Sequence, residues 1–110
     1  MVRFLAANKA DVDKATKDGA TPLCVAAHQG HLEVVRFLAA SKAGVDTAMN
    51  NGATPLFVSA ESGHLEVVRF LSASKADVNK AMPRGTTPLK IATQKGHTAV
   101  ADLLRSHGGR

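Results

Sequence analysis

One cysteine and one histidine have the residue types and the spacing that nucleophilic chemistry requires. Cys24 and His28 are four residues apart, so on a helix they share a face, where an imidazole could activate a thiolate. The two later copies of this segment hold other residues at these positions, namely Phe57 with Glu61 and Lys90 with Gln94. We therefore interpret Cys24 as a small residue packed near its helix, and a thiol enzyme that uses Cys24 and His28 is a remote alternative.

Histidine is also a common metal ligand, and the chain contains five histidines. Three of them, His31, His64 and His97, lie 33 residues apart. If each occupies the same place in its own helical unit, stacking separates neighbouring histidines by about 10 Å, which is too far for a shared ion. We predict that these three residues open helices and that the protein holds no metal and no cofactor.

The elements that position these residues follow from an internal repeat with a period of 33 residues. Gly-Ala-Thr-Pro-Leu occurs at 19–23 and 52–56, and Gly-Thr-Thr-Pro-Leu occurs at 85–89. Segments 19–51 and 52–84 align without a gap and are identical at 23 of 33 positions. Chance does not produce this agreement, so the chain is built from copies of one unit.

Each unit is expected to contain two short helices. Thr21 offers a capping hydroxyl, and Pro22 follows at the first helical position, where its missing N–H costs nothing. Gly30 is expected to end the first helix. A second helix should begin soon afterwards, because Glu33 suits the positive end of a helix dipole and apolar residues follow at helical spacing.

A hairpin-like finger is predicted between successive units. The dipeptides at this place are Asp18-Gly19, Asn51-Gly52 and Arg84-Gly85, and the first two kinds tolerate the positive φ of tight turns. One unit cannot bury its own apolar stripe, so roughly three units must stack before the array is stable. The sequence therefore predicts an all-α solenoid of stacked helix-turn-helix units that β-hairpin-like loops connect.

The repeated motifs resemble those of the ankyrin-repeat family. They are Gly-x-Thr-Pro-Leu, then Ala-Ala-x-x-Gly-His-Leu-Glu-Val-Val, then Ala-Asp-Val-Asn, and the match covers nearly the whole chain. The resemblance implies a single ankyrin-repeat domain whose concave side binds other proteins. Its expected parts are a half-repeat at 1–18, full repeats at 19–51 and 52–84, and a C-terminal capping repeat at 85–110. We expect the chain to open inside a second helix, as a segment of a longer array does.

The chain also departs from the family pattern. Ankyrin repeats usually carry histidine after Thr-Pro-Leu, where it bonds to the neighbouring loop, whereas this chain has Cys24, Phe57 and Lys90 there. Lysine replaces the glycine that usually ends the second helix, at positions 9, 42 and 75. A lysine there must adopt an unfavourable left-handed conformation or the helix must end differently.

Partner contacts are expected where the copies differ, because the scaffold does not dictate the residue at such positions. In the ankyrin family the finger tips and the ends of the first helices face the concave groove. The resemblance therefore implies twelve candidate contact residues: Lys17, Asp18, Asn50, Asn51, Pro83 and Arg84 on the fingers, with His28, Gln29, Glu61, Ser62, Gln94 and Lys95 on the first helices. The alternative is that these positions are solvated and free to drift.

The charge distribution bears on the kind of partner. Residues 1–74 contain seven basic and seven acidic residues, whereas residues 75–110 contain seven basic and two acidic residues. With Arg84 and Lys95 at one end of the groove, an acidic peptide would direct its charge towards the last repeat. The alternative is that these cations only keep the last repeat soluble. Nucleic acid is disfavoured, because the chain has no Trp or Tyr for stacking and no continuous basic track.

The remaining expectations concern location and assembly. No apolar run approaches the roughly 20 residues of a membrane span, and the single cysteine fits a reducing compartment, so the chain is predicted to be cytoplasmic or nuclear. The exposed apolar edge of the half-repeat predicts self-association. Protein binding is the favoured function, and a structural spacer within a longer array, with no partner of its own, is the alternative.

Overall fold

The computed structural model describes residues 21–40, 48–74 and 76–110. These residues contain three pairs of helices and no strand, which confirms the all-α repeat fold. The helices are α1 (Pro22–Gln29), α2 (Leu32–Ala40), α3 (Pro55–Ser62), α4 (Leu65–Ala73), α5 (Pro88–Gln94) and α6 (Thr98–Ser106). The predicted half-repeat at 1–18 lies outside the described residues, as does its finger at Asp18-Gly19, so its predicted self-association stays a prediction.

The first helix of each pair begins and ends as its sequence predicts. In α3 the backbone N–H of Phe57 donates a 3.1 Å hydrogen bond to the Thr54 hydroxyl, and Pro55 occupies the first helical position. Gly63 follows the helix in the left-handed region with φ of 77°. The N–H groups of Gly63 and His64 return to carbonyls of α3, so the carbonyls at the helix end are satisfied within the repeat.

The second helix of each pair buries a continuous apolar face. In α4, Val67, Val68 and Leu71 are buried, and Glu66 lies in the first turn, where the helix dipole favours a negative charge. The helix closes with a hydrogen bond from the Ala76 N–H to the Leu71 carbonyl at 3.2 Å. The three lysines that replace the usual glycine here lie outside the described residues.

The two described fingers are tight hairpin turns. In the first, the Met49 N–H donates to the Ala53 carbonyl and the Gly52 N–H donates to the Met49 carbonyl, each at 2.8 Å. The Asn51 carboxamide oxygen accepts from the Ala53 N–H at 3.0 Å. The second finger repeats the pattern between Met82 and Thr86. Glycine carries the positive φ in each turn, so the residues at the tips can vary.

The core lies between a layer of first helices and a layer of second helices. Helix α1 packs on α3 and α3 on α5, while α2 packs on α4 and α4 on α6. Leucines at equivalent positions of successive repeats are fully buried, among them Leu38, Leu71 and Leu104. Phe37 and Phe70 are only partly buried and pack against this core. Each ring therefore contributes less than a fully buried phenylalanine.

Candidate binding groove

Two of the recurring histidines connect neighbouring repeats. The Nε2–H of His64 donates to the backbone carbonyl of His28 at 2.9 Å, and the Nε2–H of His97 donates to the carbonyl of Glu61 at 3.0 Å. Because a carbonyl can only accept, both rings must carry a proton on Nε2. Each histidine therefore fixes the end of the preceding first helix, and with it the position of a candidate contact residue.

The same rings cover a glycine of the preceding repeat. A Cβ atom at Gly63 would lie 2.7 Å from His97 Cε1 and Nδ1, and one at Gly30 would lie 2.6 Å from His64 Nδ1. His64 and His97 do occupy the N-cap of the second helix, as predicted, but their side chains make no capping bond there. This bond between repeats was not predicted, although the recurrence of histidine every 33 residues was a signal for it.

A hollow of about 370 Å³ lies between the first described finger and helices α1 and α3. Its floor is largely apolar, and within the described residues Val25 is the one large hydrophobic residue that is exposed, at 39%. Phe57 also lines the hollow, and it is 5% exposed. The lining residues are Cys24, Val25, His28, Met49, Asn51, Ala53, Phe57, Val58, Glu61 and Met82.

A second hollow of about 350 Å³ adjoins the first, one repeat further along the stack. It lies between the second finger and helices α3 and α5, and its rim carries Arg84. The lining residues are Asn51, Phe57, Glu61, Met82, Pro83, Arg84, Thr86, Ile91 and Gln94. Four of these also line the first hollow, so the two form one continuous surface, which we call the binding groove.

The structure brings six of the twelve predicted contact residues to the binding groove. These are His28, Asn51, Glu61, Pro83, Arg84 and Gln94. Four others line neither hollow, namely Gln29, Asn50, Ser62 and Lys95, although Gln29, Asn50 and Lys95 are exposed nearby. The remaining two, Lys17 and Asp18, lie outside the described residues.

The apolar floor of the binding groove was not predicted. Comparing the copies reveals only positions that differ, and two pairs of floor residues are the same in both copies: Val25 with Val58, and Met49 with Met82. Cys24 and Phe57 occupy equivalent positions and do differ between the two copies. The exposure of Val25, which lies between buried Cys24 and Ala26, is seen only in the structure, because helix periodicity does not distinguish floor from core.

Cys24 and His28 line the same hollow, but the thiol is poorly suited to be a nucleophile. Cys24 is 1% exposed, and burial raises the pKa of its thiol above the ordinary value of 9.0. The reactive form is the thiolate, which burial disfavours. In the described part of the chain, moreover, no group of three or more His, Cys, Asp or Glu side chains comes together as a metal site would require.

The chain matches the family described as ankyrin repeats in three copies. Its model matches residues 1–82 and 43–110, which together span the chain. No curated protein matches closely enough to serve as a relative. Among the residues that the structure describes, none of the helices combines the length and the apolar character needed to cross a membrane.

Proposed function

Since the chain belongs to the ankyrin-repeat family, whose members typically bind other proteins and are not enzymes, we propose that its binding groove holds a segment of a partner protein. One observation carries the proposal. Side chains that differ between the copies line the rim of an apolar hollow, in which Val25 is exposed and Met49 and Met82 are partly buried. An open apolar floor with a polar rim is the anatomy of a protein interface.

The charge of the groove indicates the polarity of the partner segment. Arg84 forms no ion pair with any described residue, and Glu61 is the one carboxylate among the described residues that line the hollows. Lys95 adds an exposed cation in the last repeat. An acidic stretch of the partner is therefore favoured at the last repeat.

Four alanine substitutions can remove the rim without disturbing the fold. In His28 and Glu61 the backbone carbonyl, not the side chain, makes the bond to the next repeat, so that bond survives substitution. The side chains of Arg84 and Gln94 make no hydrogen bond with any described residue. The groove variant therefore combines His28→Ala, Glu61→Ala, Arg84→Ala and Gln94→Ala.

A matched control lies on the exposed face of the second helices. The control variant replaces four exposed residues by alanine: Glu33, Arg36, Glu66 and Arg69. Like the groove variant, it removes as many acidic as basic residues. The exposed pair of Glu66 and Arg69 contributes little to stability. Both variants should therefore keep the circular dichroism spectrum and the melting curve of the parent.

The experiment is affinity capture from cells that express the protein, followed by quantitative mass spectrometry. We expect at least one protein to be recovered by the parent and the control variant and lost with the groove variant. Equal recovery with all three would refute the proposal and support a structural spacer. For the charge preference, Arg84→Glu with Lys95→Glu should weaken binding of the captured partner, and unchanged affinity would show that these cations only solubilise the last repeat.

A further inference from the structure

One position of the first helix changes character along the stack. At the third position of the first helix, the residue is Cys24 in α1, Phe57 in α3 and Lys90 in α5. The thiol and the ring are buried at 1% and 5% exposure, whereas Lys90 is exposed. Equivalent positions thus pass from apolar to cationic over three repeats.

The first hollow is suited to an apolar side chain of a partner. Val25 is exposed there, and Met49 and Met82, which are partly buried, line the same hollow as Phe57. Methionine is flexible and polarizable, so two methionines can adjust to an inserted side chain. The volume of about 370 Å³ is at the small end of the range for ligand pockets, which fits one or two side chains and not a folded element.

The second hollow is suited to a carboxylate. Arg84 is exposed on its rim, and a guanidinium can bind a carboxylate through two parallel hydrogen bonds. Glu61 lines both hollows, whereas Arg84 lines only the second, so the guanidinium that can pair with a carboxylate lies at the second hollow alone. The carboxylate of the partner is therefore favoured one repeat away from the apolar side chain.

The repeat spacing fixes the distance between these two features in the partner. Packed helices lie about 8–10 Å apart, and an extended chain advances about 3.3 Å per residue. One repeat therefore corresponds to about three residues of an extended peptide. We propose that the binding groove recognises a linear peptide with a large aliphatic or aromatic side chain in the first hollow and an Asp or Glu three residues away at Arg84. This specificity rests on the proposed function.

Selection from a random peptide library displayed on phage, against the whole 110-residue protein, tests the specificity. We expect enriched peptides to share an apolar residue and an acidic residue three positions apart. Repeating the selection against Arg84→Glu should replace the acidic residue by Lys or Arg at the same spacing. Arg36→Glu is the matched control, because it makes the same charge change on α2, away from both hollows, and should return the original motif.

The outcomes separate this specificity from the proposed function. Two results would overturn the specificity and leave groove binding intact. In the first, peptides that compete for the groove lack an apolar and an acidic residue three positions apart. In the second, peptides selected with the Arg84→Glu variant keep the acidic residue. Peptides whose binding survives the fourfold groove variant would show that another surface is used, and both ideas would fail. For a synthetic peptide with the motif, charge reversal at Arg84 should raise the dissociation constant at least tenfold, and a change below twofold would contradict the role of Arg84.

Discussion

Replacing Gly63 by alanine should test whether His97 holds two repeats together. Gly63 has φ of 77°, and a Cβ there would lie 2.7 Å from the His97 ring, closer than real Cβ contacts come. The ring must therefore move, and its 3.0 Å hydrogen bond to the Glu61 carbonyl is lost. We expect a decrease in the free energy of unfolding that has two separate sources.

The first source is the backbone, and Gly96 isolates it. Gly96 has φ of 78°, nearly the same as Gly63, but a Cβ there would meet nothing within 4 Å. Alanine in the left-handed region costs about 1–2 kcal/mol, partly offset by about 0.4–1 kcal/mol from a less flexible unfolded chain. We therefore expect Gly96→Ala to reduce the free energy of unfolding by about 1 kcal/mol.

The second source is the displaced ring, which only Gly63→Ala involves. A net hydrogen bond contributes about 0.5–1.5 kcal/mol, and the displaced ring also loses its packing on the glycine. Gly63→Ala should therefore cost about 1 kcal/mol or more beyond Gly96→Ala, which for a domain of this size lowers the midpoint of thermal unfolding by roughly 4 °C or more beyond the control.

Urea denaturation of a double-mutant cycle measures the coupling directly. In a His97→Ala background there is no ring to displace, so Gly63→Ala and Gly96→Ala should then cost the same. Gly30→Ala with His64 offers an independent copy of the test, since a Cβ at Gly30 would lie 2.6 Å from that ring. If Gly63→Ala and Gly96→Ala are equally destabilising with His97 present, the contact between repeats contributes nothing and the reasoning is wrong.

Three further predictions concern the core, a helix cap and the thiol. Leu38→Ala should cost about 2–5 kcal/mol because Leu38 is fully buried, whereas Phe37→Ala should cost less than the roughly 3–5 kcal/mol of a fully buried phenylalanine; a cost below about 1 kcal/mol for Leu38→Ala in urea denaturation would contradict the packing. Thr54→Val should cost about 0.5–2 kcal/mol because the Phe57 N–H loses its acceptor, and an unchanged denaturation midpoint would rule out that cap. Burial raises the pKa of the Cys24 thiol in the folded protein, so above pH 9.0 the unfolded chain loses its thiol proton first and the free energy of unfolding should fall. The fall with pH should be smaller in Cys24→Ala, and identical pH profiles for the two proteins would contradict the raised pKa.

The sequence predicted those parts of the fold that depend on local chemistry. The Thr54 cap, the proline after it and the glycine after the helix each act within a few residues, so their types and order were enough. The bond from His97 to the Glu61 carbonyl joins residues 36 positions apart, and a pattern of residue types does not give distances between units. The apolar floor was missed for a related reason: Val25 and Val58 share one residue type, yet Val25 is 39% exposed and Val58 is 6% exposed, a difference that residue type alone does not predict.

The bonds between repeats explain why the copies can differ at the groove. His64 and His97 bind the backbone carbonyls of His28 and Glu61, and a carbonyl is present whatever side chain the residue carries. The histidine in one copy can therefore become a glutamate in the next, which adds an acidic group to the rim, while the bond that aligns the repeats is kept. At these positions the main chain serves stability and the side chain serves recognition, so partner specificity can change at the rim of the binding groove with little cost to the fold.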